Sequence, residues 1–349
     1  TDDKDEILPV INQEGDILMF TRVASKDFER VLLVDGENIF DQDERLAENL
    51  LSDIYTGLGE SSNVKPANSV FNQEIMEARI KSGMPVSVEH PSYPLNNALP
   101  NSVLASIPDM NSFIVNNIYY RAGGMDEGIS MVRKGADGHW SFPQPIQVKD
   151  LRTSSSGFSM CSNRDGSVFV FSLARKDSKG ETDLYVSFRQ SDGSYSVPHQ
   201  ISNWINTSYR ETNPTLSNDG RVLFFSSNRA GSQGMDIYYS KRTSENWMDW
   251  TSPEKLEHPI NSPYDESQPQ FDETNGFLYF SSNRAGSMDI YKYPYGVEEE
   301  IRIDITGLVS DMGTGIPLKA MVRVEIEDKG FSRAISVNSS GKFLVDIPV

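Results

Sequence analysis

The sequence repeats a long pattern, and this repetition limits the fold more strongly than any other feature. The hexapeptide Ser-Ser-Asn-Arg-Ala-Gly occurs at 226–231 and at 281–286, and each copy precedes a Met-Asp-Ile-Tyr segment. The turn glycines ahead of these copies, Gly220 and Gly276, are 56 residues apart. Weaker copies have the corresponding turn at three earlier positions, Gly15, Met110 and Gly166. Because such repeats are supersecondary units that bury their cores by stacking, we predict five structural repeats.

Each repeat is expected to form four short strands. In the fourth copy, a proline-containing strand precedes the apolar run Val222-Leu-Phe-Phe225, and Asp236-Ile-Tyr238 follows it. The last strand carries an aromatic residue and a proline, as in Trp250-Thr-Ser-Pro253. Proline suits an outer edge strand because it has no N–H for the ladder. Four-stranded sheets repeated around an axis form a β-propeller, so we predict an all-β propeller with five blades, the fifth without its last strand. Six blades are the alternative, if residues 71–95 form a degenerate blade.

The first repeat contains an insertion. The interval from Gly15 to Met110 is 95 residues, about 40 more than the later intervals. We place the extra residues at about 41–68, after a third strand at Arg30-Val-Leu-Leu-Val34. Four apolar residues of this segment recur at helical spacing, namely Leu46, Leu50, Ile54 and Leu58. A small amphipathic helix packed on the side of the propeller is therefore expected.

The pattern changes near residue 297. Apolar residues alternate at 301–305, at 320–326 and at 343–347, which is typical of half-buried strands. The segments Thr306–Val324 and Ser340–Pro348 resemble the carboxypeptidase regulatory-like domain, which implies a transthyretin-like β-sandwich. We therefore divide the chain into a propeller at 1–296 and a sandwich module at 297–349, which holds too few strands for a complete sandwich.

Composition excludes several classes of partner. The chain has 50 acidic and 32 basic residues and a net charge of −18, which disfavours nucleic acids and anionic membranes as direct partners. Cys161 is the single cysteine, so no disulfide forms within the chain, and we expect a packed thiol there. No apolar run reaches the length of a membrane span. No cofactor and no metal site are expected.

Catalytic patterns are not evident in the sequence. The four histidines, His90, His139, His199 and His258, are far apart and lack partners at ligand spacing. There is no Gly-x-Ser-x-Gly elbow and no phosphate-binding glycine loop. We therefore expect that the chain is not an enzyme.

One set of polar residues suggests a binding site. Glu6, Glu211 and Glu266 each precede a proline by three residues, at the start of the expected innermost strands. The equivalent places in the second and third repeats are near Asn101 and Gly157. A partial ring of carboxylates at one mouth of the channel would bind a cation or a basic peptide. The alternative is a solvated rim.

The repeated Asn-Arg loops are expected to stabilise the blades. The residues concerned are Asn228, Arg229, Asp236, Asn283, Arg284 and Asp289. We expect each aspartate to pair with the arginine of its own hairpin, because asparagine and glycine favour the turn and the ion pair would close it. A ligand-binding role for the arginines is the alternative.

The patterns Pro-x-x-Ser-x-Asp-Gly, Phe-Ser-Ser-Asn-Arg and Gly-x-Asp-Ile-Tyr resemble the TolB-like, WD-like propeller repeat over about residues 5–295. A propeller of this kind followed by a regulatory-like module is similar to the central part of OmpA-family periplasmic proteins, among them a component of type IX secretion. The resemblance implies a non-catalytic, protein-binding scaffold in the periplasm, in an outer-membrane-associated secretion or envelope complex. Peptidoglycan would be contacted only through a domain outside this chain.

Two alternatives remain at this point. The first is a TolB-like translocation accessory that binds an extended peptide in the propeller channel. The second is a propeller hydrolase or lyase with its site in the same channel, which convergent histidine, tyrosine and carboxylate side chains would favour.

Overall fold

A computed structural model describes residues 4–25, 27–81, 83–154, 158–296, 302–326 and 331–348. The chain divides into two compact units, Thr1–Pro294 and Tyr295–Val349, beside the predicted boundary after residue 296. The first unit is an all-β propeller of five blades, as predicted, and the second consists of small β-sheets. The two units are described separately.

The blades are antiparallel sheets whose strands follow one another in chain order. The first blade and its insertion contain β1 (Glu6–Ile11), β2 (Ile17–Val23), β3 (Leu33–Val34), β4 (Glu37–Asn38), α1 (Ile39–Gln42), α2 (Glu44–Gly57), β5 (Gln73–Lys81) and β6 (Met84–Glu89). The second contains β7 (Val103–Ile107), β8 (Ser112–Tyr119), β9 (Met125–Arg133) and β10 (Gln144–Ile146). The third contains β11 (Ser159–Ser162), β12 (Val168–Leu173), β13 (Asp183–Phe188) and β14 (His199–Gln200).

The fourth blade contains β15 (Glu211–Leu216), β16 (Val222–Ser227), β17 (Asp236–Lys241) and β18 (Glu254–Lys255). The fifth contains β19 (Glu266–Asp272), β20 (Phe277–Ser282) and β21 (Asp289–Pro294), and its described strands do not include a fourth. This agrees with the prediction for the last repeat. Strand β5 pairs with β2, and β6 pairs with β5, inside blade one, so residues 71–95 form no sixth blade.

The innermost strands of blades one, four and five are bulged at their prolines. In β15 the register shifts between Thr212 and Thr215, and Asn213 adopts a positive φ of 51°. Equivalent bulges precede Pro9 in β1 and Pro269 in β19. Because proline cannot donate to the ladder, a bulge places it where no donor is needed.

The insertion lies elsewhere than predicted. The segment at Arg30–Val34 is not the third strand of blade one, because Leu33–Val34 pairs with Glu37–Asn38 in a separate hairpin. The third strand is β5, after the helices, so the insertion joins the second and third strands and extends over about 24–72. A two-residue hairpin beside a helix has the same apolar composition as a blade strand, so composition alone does not separate the two.

Helix α2 buries a different side from the predicted one. Asp43 caps it by accepting a hydrogen bond from the Leu46 N–H at 3.0 Å. The fully buried side chains are Ala47, Leu51 and Tyr55, one residue further along than the predicted stripe. Leu51 and Tyr55 pack with loops of blades one and two, and Leu58 is left exposed.

The core lies between neighbouring blades. Ile114 of blade two and Phe171 of blade three are both fully buried in one cluster, and Val170 and Phe225 join blades three and four in another. Blades one and five share a cluster that includes Tyr279. Each blade therefore buries its faces only against its neighbours, which makes the closed ring the stable unit.

The second unit contains two antiparallel pairs. Strand β22 (Arg302–Leu308) pairs with β25 (Lys342–Pro348), and β23 (Met321–Ile326) pairs with β24 (Phe331–Ser336). Burial alternates along Ala320–Glu325, as the sequence predicts. Ile301 lies outside the described residues. The regulatory-like identity of this unit stays a prediction.

Candidate functional site

The insertion defines one face of the propeller. In an antiparallel blade, connections from strand two to three and from strand four to the next blade leave at the same end. The insertion at 24–72 is a connection of the first kind, and Trp204 and Tyr209 belong to one of the second kind. We call this end of the propeller the insertion face.

The channel that runs along the propeller axis is narrow. Its lining at the insertion face comes from the innermost strands and includes Leu8, Leu104, Ser159, Asn213 and Gln268, around a cavity of about 20 Å³. The Leu8 N–H donates to Gln268 Oε1 at 2.8 Å, and the Asn213 N–H donates to Ser159 Oγ at 2.8 Å. The opposite mouth holds about 40 Å³. These volumes correspond to one or a few water molecules, so a peptide does not thread the channel in this conformation.

A larger pocket opens beside this mouth on the insertion face. It has a volume of about 430 Å³. Its apolar walls come from the insertion and from blades one to three: Leu8, Leu58, Phe71, Pro100, Leu104, Met125, Leu151, Phe158 and Leu173. We call it the mouth pocket. A volume of several hundred cubic ångströms, lined by apolar and polar side chains in similar amounts, is within the range of ligand or anchor-residue sites.

A few polar groups complete the mouth pocket. Arg152, whose side chain is 86% exposed, and Glu127 place opposite charges at its lining. Asn117 adopts a positive φ of 69° at a bulge in β8, and its amide donates to the Pro100 carbonyl at 3.1 Å. Residues held in this region of φ recur at binding sites, where the surrounding structure offsets the strain.

The predicted carboxylate ring takes a different form. Glu211 is fully buried and accepts hydrogen bonds from the Thr207 N–H at 2.8 Å, the Thr207 hydroxyl at 2.6 Å and the Ser227 hydroxyl at 3.0 Å. Its Oε1 also pairs with Arg229 at 3.2 Å. Glu266 repeats this network with Ser262, Ser282 and Arg284. These buried carboxylates are thus bonded to their own blades and to the connections that precede them.

The other predicted mouth residues, Glu6 and Asn101, have different partners from those of Glu211 and Glu266. Glu6 pairs with Arg22 at 2.8 Å, and its side chain is 20% exposed. Asn101 is buried, and its amide donates to the carbonyls of Asn97 at 2.7 Å and Leu99 at 2.6 Å. Gly157 lies outside the described residues. The structure therefore does not place all these groups on one exposed rim.

The arginines of the repeated loops pair with glutamates and not with the predicted aspartates. Arg229 donates to the Ile205 carbonyl at 2.7 Å and lies over the rings of Phe225 and Tyr238. Arg284 does the same with Ile260, Phe280 and Tyr291. Each arginine thus joins the connection from the preceding blade to its own second and third strands.

The aspartates and asparagines of these loops have other partners. Asp236 pairs with Lys255 at 2.7 Å, and Asp289 accepts from the Ser287 hydroxyl at 3.2 Å. The side-chain oxygens of Asn228 and Asn283 accept backbone N–H bonds from Arg210 at 2.9 Å and Asp265 at 3.0 Å, respectively. The whole predicted set therefore contacts the blade framework.

A second repeated set of hydrogen bonds, made by asparagine side chains, was not predicted from the sequence. Asn206 accepts the Leu184 N–H at 2.8 Å and donates to the Leu184 carbonyl at 2.9 Å. Asn261 does the same with Ile237, and Asn96 with Ile75. Each asparagine lies five residues before a predicted mouth position, a fixed spacing that a closer comparison of the repeats would have shown.

Cysteine and most histidines take the expected places. Cys161 is buried, and burial raises the pKa of its thiol well above the usual range. His139, His199 and His258 are exposed. Among the described residues, no three His, Cys, Asp or Glu side chains converge as a metal site would require. No helix in the described ranges is long and apolar enough to cross a membrane.

His90 has a carboxylate partner that its sequence position does not reveal. Its Nε2 lies 2.6 Å from Glu74 Oε2, and Glu74 is 1% exposed on β5. Burial raises the pKa of Glu74 to about 7, although its hydrogen bond to His90 opposes this. The same hydrogen bond raises the pKa of His90. Glu29 and Arg22 are the other charged groups near the pair, and Tyr55 and Tyr119 are buried beside it, where burial raises their pKa values.

This pair predicts a pH-dependent stability. Both pKa values are higher in the folded state, so the folded protein binds protons more tightly than the unfolded chain. The contribution of Glu74 is fully present below its unfolded pKa of 4.5 and is lost as the pH rises through about 7. We expect the free energy of unfolding to fall over this window by on the order of 2 kcal/mol. Glu74→Gln should flatten the profile in urea titrations at several pH values, and an unchanged slope would contradict this assignment.

Comparison with known proteins finds distant structural neighbours. No known protein family and no curated protein matches the chain. Among solved structures, a putative TolB from Agrobacterium tumefaciens is 14% identical with a TM-score of 0.36, over 76% of this chain and 94% of that one. TolB from Acinetobacter baumannii is 11% identical with a TM-score of 0.38, over 98% and 79%. A thermostable family-43 glycoside hydrolase is 11% identical with a TM-score of 0.43, over 83% and 89%.

These similarities correct one expectation. The prediction that the chain is not an enzyme rested on the lack of catalytic motifs, and it is wrong as an exclusion, because the similar structures include glycoside hydrolases and a puromycin hydrolase. Similarities this low assign no activity to this chain, and a single fold can host both binding proteins and enzymes. The fold therefore gives no ground for excluding catalysis.

Proposed function

We propose that this chain is a protein-binding propeller of the bacterial periplasm whose working surface is the insertion face. The observation that carries the proposal is the mouth pocket, with about 430 Å³ against about 20 Å³ in the adjoining channel. Its apolar walls favour an apolar side chain of a partner as the anchor, and Arg152 and Glu127 would orient the flanking residues.

Exposed side chains on the same face support protein binding. Large apolar side chains are exposed on the insertion, on the connection from β8 to β9 and on the connections between blades, namely Leu58, Val70, Tyr120, Trp204, Tyr209 and Tyr264. Trp204 is 66% exposed, which is unusual for a tryptophan outside an interface. Tyrosine and tryptophan are enriched at protein interfaces, because they bury a large area with few rotatable bonds.

The finer expectation concerns the complex. The expectation is that the chain belongs to an outer-membrane-associated assembly of the type IX secretion kind. Peptidoglycan would be contacted through a domain outside this chain. Both expectations rest on the order of the two modules. Both remain proposals. A peptide-binding role of the TolB-like kind fits the mouth pocket better than the channel, because the channel is too narrow for a chain.

The test is affinity capture from envelope extracts with the full chain and with Leu58→Asp. Leu58 is 41% exposed at the end of α2, so the change should leave the core intact. A charge in the apolar pocket wall should lower partner capture at least about tenfold, because an apolar contact worth about 1.5–3 kcal/mol is lost. Deleting the insertion is a poorer test, because Leu51 and Tyr55 belong to the core.

Val86→Asp is the matched control. Val86 is 62% exposed on β6, outside the mouth-pocket lining, and its replacement should leave capture unchanged. Equal losses in both variants would contradict the assignment of the surface. Turnover of glycans or peptides by the unmodified chain, lost in Leu58→Asp, would favour a hydrolase over a binding protein.

A further inference from the structure

In the described part of the chain, the outer edge of blade five lacks the fourth strand that blades one to four have. At its inner side the ring closes normally, because the Glu6 N–H donates to the Met288 carbonyl at 2.8 Å. The same bond joins Glu266 to Met235 at 2.7 Å between blades four and five. The incomplete part is thus confined to the fourth strand, outside β21.

Blade four shows how a fourth strand is held. The Leu256 N–H donates to the Ile237 carbonyl at 3.0 Å. Asn261 then accepts the Ile237 N–H and donates to its carbonyl, both at 2.8 Å. Ile201, Leu184 and Asn206 repeat this arrangement in blade three, where the Ile201 N–H donates to the Leu184 carbonyl at 3.1 Å. A short strand and one asparagine therefore satisfy the outward backbone groups.

In blade five the equivalent residue is Ile290, which lies opposite Ser281 as Ile237 lies opposite Ser226. Its N–H and carbonyl also point away from the preceding strand, and neither is bonded to any residue in the described ranges. The following residue, Tyr291, is partly exposed, whereas Tyr238 in blade four is buried. An edge with unpaired backbone groups is a template for adding a strand.

The complete blades also show which segment fits. In blade four an aromatic residue, Trp250, is followed by proline and leucine at successive intervals of three, and by asparagine five residues later. Blade three has the same spacing, with Tyr195, Pro198, Ile201 and Asn206. Trp250 and Tyr195 are both buried in inter-blade clusters, so the aromatic residue acts as the anchor.

We propose that the outer edge of blade five binds an extended segment of a partner protein with the chemistry of this chain's own fourth strands: an aromatic residue, a proline, a leucine or isoleucine and an asparagine at those spacings. The segment adds as an antiparallel strand beside β21. Its leucine N–H donates to the Ile290 carbonyl. Its asparagine side chain accepts from the Ile290 N–H and donates to the Ile290 carbonyl. Backbone bonds supply affinity in this mode, and the side chains select the partner.

A peptide copied from the chain provides the probe. A labelled peptide with the sequence of residues 249–262 is titrated with the full chain and followed by fluorescence anisotropy. We expect saturable binding with a Kd on the order of micromolar. N-methylation of the leucine that copies Leu256 removes the donor to the Ile290 carbonyl and should weaken binding at least about tenfold. N-methylation of the residue that copies Lys255 should have little effect, because strand alternation directs that N–H away from β21.

Hydrogen exchange locates the site. The peptide should slow exchange of the Ile290 amide in the full chain. Leu58→Asp, which alters the mouth pocket, should leave this slowing unchanged. The two proposals can therefore fail independently of each other. No saturable binding, or equal weakening by both methylations, would overturn the proposal. So would an Ile290 amide already protected without the peptide, because the chain would then cover this edge itself.

Discussion

Glu266→Ala is expected to lower the free energy of unfolding by about 3–5 kcal/mol, because it leaves a largely buried arginine without its carboxylate. Glu266 is fully buried, and Arg284, 22% exposed, donates to it at 2.9 Å. The hydroxyls of Ser262 and Ser282 also lose their acceptor. Urea unfolding at pH 7, followed by tryptophan fluorescence and circular dichroism, measures the change.

Glu6→Ala is the matched control for this prediction. Glu6 occupies the same place in blade one and pairs with Arg22 at 2.8 Å, but both side chains are 20–25% exposed. The Glu6 carboxylate is partly exposed, whereas the Glu266 carboxylate is fully buried, so removing Glu6 should cost less, about 1–2 kcal/mol. If the two variants lose equal stability, the buried network is not what holds the blade. Arg284 would then be free for another role, such as the ligand binding considered as an alternative above.

Asn261→Ala is expected to cost about 2–4 kcal/mol. The Asn261 side chain is bonded to the backbone of Ile237 and to the Leu256 carbonyl, and it is 5% exposed. Alanine leaves the Ile237 N–H and the Leu256 carbonyl without these partners, and each unsatisfied buried group costs about 1–3 kcal/mol. Urea unfolding measures the total, and faster exchange of the Ile237 amide would locate it.

Asn246→Ala controls for the loss of an asparagine. Asn246 is exposed and accepts a hydrogen bond from the Met248 N–H at 3.2 Å on a surface turn. Its replacement should change stability by no more than about 0.5 kcal/mol. A similar small effect for Asn261→Ala would show that water reaches the third strand of blade four. The assignment of Asn96, Asn206 and Asn261 as side chains that hold the backbone of the third strand would then be wrong.

The propeller was predictable because its repeats are long and similar. Both Ser-Ser-Asn-Arg-Ala-Gly copies end a second strand at 227 and 282, and both Asp-Ile-Tyr segments begin a third strand. Apolar periodicity and turn residues act locally, so they fix such strands without knowledge of distant contacts. The first repeat was misassigned at Arg30–Val34, because there a helix and a hairpin interrupt the pattern.

Pairing between polar residues was much less predictable. The sequence shows that Arg229 and Asp236 are close along the chain, yet Arg229 binds Glu211, which lies 18 residues earlier. Likewise, His90 and Glu74 are 16 residues apart and meet only because β5 and β6 pair. Such contacts depend on strand register and on the direction of each side chain, which the spacing alone does not specify.

The sequence by itself determined the all-β class, the five repeats, a fifth blade with three described strands and the acidic character of the chain, because these depend on composition and local patterning. Only the tertiary structure decided that the glutamates are buried, that the insertion joins the second and third strands, and that a pocket opens beside a narrow channel. These features arise where residues from different blades meet. Their geometry depends on how five sheets close into a ring, and no single repeat encodes that closure.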